Sequence, residues 1–244
     1  MTTPMVSIRE LRREYDAGPS RVTALDGVTV DLAAGTFTAV MGPSGSGKST
    51  LLHCVAGLDR PTSGEVTVDG VHLGELDETG LTVLRRERIG FVFQAFNLIS
   101  SLTAAQNVAL PARLAGRRLS PADVAAALGD VGLADRARHR PVELSGGQQQ
   151  RVAIARAMVT KPAVIFADEP TGALDNQTSR RVLELLRELA TVRGQTIVMV
   201  THDPVAAAVA DSVLLLTDGR LVDRLDGASA EAIAARMTRA EATW

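Results

Sequence analysis

Three short segments of this chain carry residue types suited to holding and breaking a phosphate anhydride. The first is Gly42-Pro43-Ser44-Gly45-Ser46-Gly47-Lys48-Ser49-Thr50. Its glycines let backbone N–H groups curl around phosphate oxygens, and the helix expected to follow adds partial positive charge at its N-terminus. Lys48 is placed to neutralise β and γ oxygens, and Ser49 to offer a hydroxyl to Mg²⁺. A chance match to this P-loop spacing in a chain of this composition has a probability on the order of 10⁻³. With only two lysines, Lys48 and Lys161, against 24 arginines, the motif has also taken a scarce residue. The second segment is Asp168-Glu169, at the end of the apolar run 164–167. A strand there delivers both carboxylates to the sheet edge where open α/β sheets bind ligands. Asp168 then suits Mg²⁺ held through water, and Glu169 suits accepting a proton from an attacking water. The third is Leu144-Ser145-Gly146-Gly147-Gln148. Ser145 is a good N-cap, the two glycines leave N–H groups bare, and a long helix follows, so the chain has a second anion-binding helix start.

Positioning these segments requires strands and helices in alternation. Short apolar runs alternate with stretches of helical period, which predicts an α/β chain with a largely parallel sheet. Strands are expected at 5–11, 28–32, 37–41, 65–68, 89–93, 163–167, 197–200 and 213–216, the last followed by a hairpin-like turn at Asp218-Gly219. Helices are expected at 48–56, 81–88, 145–158 and 229–241, and on the i, i+3, i+4, i+7 stripe Val182, Leu185, Leu186, Leu189. Residues 103–139 show helical patterning punctuated by Pro111, Gly116 and Pro121, and no strand. The predicted organisation is one domain: an antiparallel β part at 5–41, a core at 42–100 and 140–225, a helical lobe at about 101–139 and a C-terminal helix at 226–244.

Composition narrows the possibilities. No apolar run approaches the ~20 residues of a membrane span, and the start of the chain lacks a basic region followed by an apolar one, so neither insertion nor secretion is expected. A single cysteine, Cys54, excludes an internal disulfide and reads as a small core hydrophobe. Net charge is −2 with no run of like charge, which argues against nucleic acid as a partner. His53, His72 and His139 have no metal-ligand spacing with Cys54 or with one another.

P-loop plus acid describes many nucleotidases, and the third segment separates them: Leu144-Ser145-Gly146-Gly147-Gln148 resembles the signature of ABC transporter ATPases. The resemblance covers residues 5–225 with all motifs in order. Phe91-Val92-Phe93-Gln94, Ala167-Asp168-Glu169-Pro170-Thr171-Gly172 and Thr201-His202-Asp203-Pro204 are similar to the separate ATPase subunits of the macrolide-exporter, lipoprotein-release and cell-division type. The resemblance implies a P-loop NTPase with ATP and Mg²⁺ as its nucleotide and ion. It implies that residues 144–148 dock on the γ-phosphate held by a second copy in a homodimer, and that Gln94 touches Mg²⁺ and the attacking water. It further implies that His202 contacts the γ-phosphate and orients Glu169, that Asp175 of Ala173-Leu174-Asp175 lies along the subunit interface, and that Tyr15 stacks on adenine. An integral membrane permease as partner, and a peripheral position on the cytoplasmic face of the membrane, follow from the same resemblance. One departure is Gln106, where those relatives usually carry glutamate.

The main rival function is a soluble ABC ATPase acting on DNA or ribosomes. Chromosome-organising relatives separate the P-loop from the signature by a long coiled coil, for which residues 48–145 leave no room. Ribosome-acting relatives carry two cassettes and are usually basic. A nucleotide sensor without hydrolysis is expected to lack the base, and Glu169 is present.

Overall fold

The computed structural model describes residues 3–18 and 20–242. Two sheets form the frame. A six-stranded sheet has the order β10(Arg220–Asp226), β9(Ser212–Thr217), β3(Phe37–Met41), β8(Thr196–Val200), β7(Val164–Asp168), β6(Ile89–Phe93), with every neighbour pair parallel except β9–β10. A four-stranded antiparallel sheet has the order β2(Ser20–Leu32), β1(Val6–Ala17), β4(Ser63–Val68), β5(Val71–His72).

Two assignments made from sequence need correction here. Phe37–Met41 is a central parallel strand rather than part of the antiparallel piece, and Ser63–Val68, placed in the core by its position, pairs antiparallel with β1. Both strands are short, so their residue pattern identifies them as strands without saying which neighbours they take.

The parallel strands are buried on both faces, which explains their nearly unbroken apolar composition. Phe37, Ala39 and Met41 face one core cluster, with residues of α5(Gly146–Met158) and α6(Asn176–Arg193). Val40, Phe166, Val198 and Leu214 face the other, with α1(Lys48–Val55) and the inner side of the antiparallel sheet. Cys54 lies in this second cluster, and burial pushes its thiol up to about 12, so it behaves as the expected core hydrophobe.

Beyond α2(Glu78–Arg88) and β6, α3(Ala104–Leu114) and α4(Pro121–Asp130) form a small helical layer against α5. Pro111 lies inside α3 and does not end it. Gln106 closes a capping box with Thr103, its Oε1 accepting from the Thr103 N–H at 2.9 Å. Glutamine serves as well as glutamate at that position, which accounts for the departure noted above. Buried Asn107 ties the preceding loop through Ile99 and Leu102. After the one-turn α7(Pro204–Ala207), the terminal α8(Ala230–Ala242) inserts Ile233 into the core and pairs Arg236 with Asp223 of β10; residues 243 and 244 lie outside the described residues.

Candidate functional site

Parallel strands end together, and here that brings the separate motifs to one edge. Phe93 pairs with Asp168 and Asp168 with Val200, while Val40 pairs with Val200 and Met41 with Leu215. The residues that leave this edge are Gly42, Gln94, Glu169 and, one residue past Thr201, His202.

The P-loop follows β3 and opens α1. Gly47 has φ 97°, and a Cβ there would sit 2.2 Å from the Ala24 carbonyl oxygen; a Cβ at Gly42 would lie 1.9 Å from the Leu216 oxygen. Only glycine fits either position. Gly47 is the N-cap of α1 and offers no side-chain cap, so the first N–H groups stay available for an anion. Pro43, Ser44 and Gly45 form the outer arch, and Lys48 folds back to donate to the carbonyls of Gly42 at 2.9 Å and Pro43 at 2.6 Å. Burial lowers the Lys48 pKa, and the nearby Glu169 and Asp168 carboxylates oppose that shift. Thr50 continues the first turn of α1. The loop is braced from behind by the β9–β10 turn: Asp218 and Gly219 both have positive φ, and the Gly219 N–H donates to the Ser46 carbonyl at 3.1 Å. That brace was missed from sequence, although its Asp-Gly turn was visible.

Across from the P-loop, the Ser49 hydroxyl lies 3.4 Å from Asp168 Oδ1. Glu169 has φ 46°, which turns it out of the strand direction, and its N–H donates to the Val200 carbonyl at 3.0 Å. Glu169 Oε1 meets His202 Nδ1 at 2.8 Å, with the glutamate side chain 18% exposed and the imidazole 71%. The acid is sheltered and the imidazole stands open beside it. Gln94 reaches the turn after Glu169 closely enough that a Cβ on Gly172 would meet its Nε2 at 2.8 Å.

Leu144, Ser145, Gly146, Gly147 and Gln148 begin α5. Ser145 and Gln148 form a capping box, with the Ser145 N–H donating to Gln148 Oε1 at 2.9 Å and the Gln148 N–H reaching Ser145 Oγ at 3.4 Å. Gly147 is glycine for packing: a Cβ would stand 2.0 Å from Thr178 Cγ2. Asp175 caps α6, accepting from the Gln177 and Thr178 N–H groups at 3.0 Å each. No hydrogen bond or ion pair joins residues 144–148 to residues 42–50 among the described residues. Tyr15 is on β1. Its hydroxyl donates to Asp59 at 2.7 Å and the Arg13 guanidinium lies 4.4 Å from its ring centroid. Asp59, which also pairs with Arg13 at 2.8 Å, is a second residue that sequence reasoning passed over.

These groups fit a nucleotide phosphate and a hard divalent cation. The buried Ser46 hydroxyl has no partner in the protein, and Lys48 binds only carbonyls of its own loop. Ser49 and Asp168 present hard oxygens, and no cluster of three or more His, Cys, Asp or Glu residues is set to hold a metal among the described residues. Such a donor pair matches Mg²⁺, which is bound by few protein oxygens together with phosphate and water.

The sequence profile of the family described as "ABC transporter" matches residues 25–172, more than half of the chain. The chain belongs to the ABC transporter family. It is 47% identical over 224 residues to the macrolide export ATP-binding/permease protein MacB of Hyphomonas neptunium, a match covering 91% of this chain and 35% of that protein. With MacB of Escherichia coli K12 it shares 46% over 222 residues, 90% of this chain and 34% of the relative. The chain thus spans about a third of the length of these curated relatives. Among solved structures it resembles the ATP-binding cassette MJ0796, determined as a dimer in a post-hydrolysis state bound to ADP and Pi, with TM-score 0.84, 42% identity, and coverage of 92% of this chain and 100% of that one. cbiO1 of Clostridium perfringens, part of an ABC transporter complex, matches with TM-score 0.83 and 29% identity over 98% of this chain and 94% of that one. The expected α/β P-loop NTPase fold is therefore present, and the chain is an ATP-binding and ATP-hydrolysing ABC cassette. These transporter relatives do not favour the DNA or ribosome alternative.

Proposed function

We propose that this cassette works as a head-to-tail homodimer, each ATP lying between the P-loop of one copy and residues 144–148 of the other, and that closure of the pair drives a membrane permease of the exporter or mechanotransmission type. The observation that carries this reading is the geometry within one chain: a complete cradle and base at the sheet edge, with a second anion-binding helix start unconnected to it. A helix start with free N–H groups and no anion in its own chain suits an anion supplied by another copy.

In this reading residues 42–50 hold the phosphates, and Tyr15 stacks adenine on the ring face opposite Arg13. Ser49, Asp168 and Gln94 would hold Mg²⁺, which would supply positive charge to offset that of the phosphates. Glu169 takes the proton from water attacking the γ-phosphorus in line, and His202 holds that carboxylate and contacts the γ-phosphate. Asp175 lies along the dimer seam. The lobe at about 101–139 moves with the signature helix. A cleft of about 290 Å³ between α2, β6 and α3, lined by Arg85, Arg86, Phe91, Phe93, Pro111 and Arg156, takes an amphipathic cytoplasmic helix of the permease. Among the described residues no helix is long and apolar enough to cross a membrane. In this reading the permease holds the cassette at the cytoplasmic face. MacB's macrolide export makes efflux of an amphiphilic compound the leading direction for cargo.

Glu169→Gln with ATP tests the reading. Light scattering should show an ATP-dependent dimer that does not turn over, and capture from detergent-solubilised membranes should recover a stoichiometric integral membrane protein. Wild-type turnover in this variant overturns the role of Glu169. A stable dimer that recovers only soluble or nucleic-acid-bound partners overturns the permease assignment.

A further inference from the structure

We infer that Gln150 is a positioning residue that ties the signature helix of each chain to the Glu169 base of the same chain, and so links the two ATP sites of the dimer. The inference rests on the head-to-tail reading above.

Gln150 is fully buried in α5, five residues past Ser145, about 7.5 Å along a rigid helix. Its Nε2 donates to the Pro170 carbonyl at 2.6 Å, while its buried Oε1 has no partner. A half-satisfied amide is an unfavourable choice for a packing position, where leucine or methionine of similar volume leaves nothing unpaired. The one bond it does make goes to the residue that follows the base.

That residue needs an external anchor. Glu169 is held at φ 46°, a region that non-glycine residues rarely occupy, and Pro170 has no N–H to donate. The turn is otherwise pinned by the Glu169 N–H to Val200 and by the Gly172 N–H to the Glu169 carbonyl. The first ties it to the sheet and the second only to itself. Gln150 supplies the hydrogen bond that ties it to the signature helix. A shift or rotation of α5, as Ser145 engages or releases the ATP held by the other copy, therefore moves the Pro170 carbonyl. With it moves the backbone that aims the Glu169 carboxylate at its own ATP. Hydrolysis at one site is thus conditional on what the same chain's signature is holding at the other.

The test uses mixed dimers of full chains in which one chain carries Glu169→Gln, so that only the base of the other turns over. Gln150→Met is then placed either in the chain with the active base or in the chain with Glu169→Gln, and single-turnover hydrolysis is compared with the parent mixed dimer. We expect the rate to fall about tenfold or more when Gln150→Met and the active base share a chain. KM and the dissociation constant for ATP should stay unchanged, and the opposite arrangement should match the parent. A residue that served only to shape the signature would slow the arrangement in which the altered helix clamps the active site's ATP; that result, equal loss in both arrangements, or no loss in either overturns the inference. If Gln150→Met does not fold, Gln150→Leu carries the same two arrangements, because its apolar side chain fills most of the space and cannot donate to Pro170. Failure of the parent to dimerise with ATP is a separate outcome: it overturns the head-to-tail reading, and the link with it.

Discussion

The P-loop and the signature segment are both glycine-rich starts of helices, and they are built on different principles. At the P-loop the glycines are conformational: Gly47 has φ 97°, lies against the Ala24 carbonyl and gives α1 no side-chain cap, so the N–H groups that open the helix are left for an anion. At the signature Ser145 caps the helix, and Gly147 is there because Thr178 of α6 occupies the space of a side chain. The first site is finished within one chain, with Lys48, Ser49 and Asp168 around it. The second is a preshaped surface held in register by packing, which the proposed function completes with the nucleotide of another copy. The proposed homodimer, which binds nucleotide in each chain and hydrolyses it only when the two close, needs this asymmetry.

The comparison predicts that damage to the two segments separates binding from turnover. The largest effect is expected from Lys48→Ala, which removes the cation from the finished site. ATP affinity by calorimetry should fall by at least about 10²-fold, the loss of a charge-assisted contact of about 3 kcal/mol; unchanged affinity would refute the cradle. Next, Gly147→Ala should leave ATP binding by the isolated chain intact. Its Cβ would press on Thr178 Cγ2, so urea denaturation should report a loss of about 1–3 kcal/mol together with weakened ATP-dependent dimerisation. Thr178→Ala in the same chain should return part of that stability, and no recovery would mean that Gly147 serves something other than packing. The smallest effect is expected from Ser145→Ala. The cap bond to Gln148 is long, 3.4 Å, so the cost in stability should be near the lower end for an N-cap, about 0.5–1 kcal/mol. Hydrolysis should fall much more than stability does, because in the proposed dimer the hydroxyl's main partner is the phosphate held by the other copy. Equal, small losses in both would deny the segment its role in trans.

Much of the site was legible in the sequence because its chemistry is local. Lys48, Ser49, Asp168 and Glu169 lie at strand ends or a helix start, where period and punctuation are readable. Ser145 reads as the N-cap of α5 from its type and place alone, and α5 begins and ends where the pattern predicts. The elements misplaced were Phe37–Met41 and Ser63–Val68, recognised as strands but given the wrong sheet. A strand's apolar pattern shows how many of its faces are covered and not what covers them. The residues passed over share a feature: Asp59, which holds Tyr15 and Arg13, and Gly219, which braces Ser46, act across long sequence separations.

The sequence by itself determined which residues are of types suited to this chemistry and the order in which they occur, because phosphate binding, capping and proton transfer depend on residue type within a few positions of one another. Only the tertiary structure decided that Met41, Phe93, Asp168 and Val200 end at one edge, and that Glu169 meets His202 at 2.8 Å. It also decided that Gln150 spends its single hydrogen bond on Pro170. Strand order, register and the burial of one polar atom are settled by the packing of the whole chain, and no short stretch of sequence contains them.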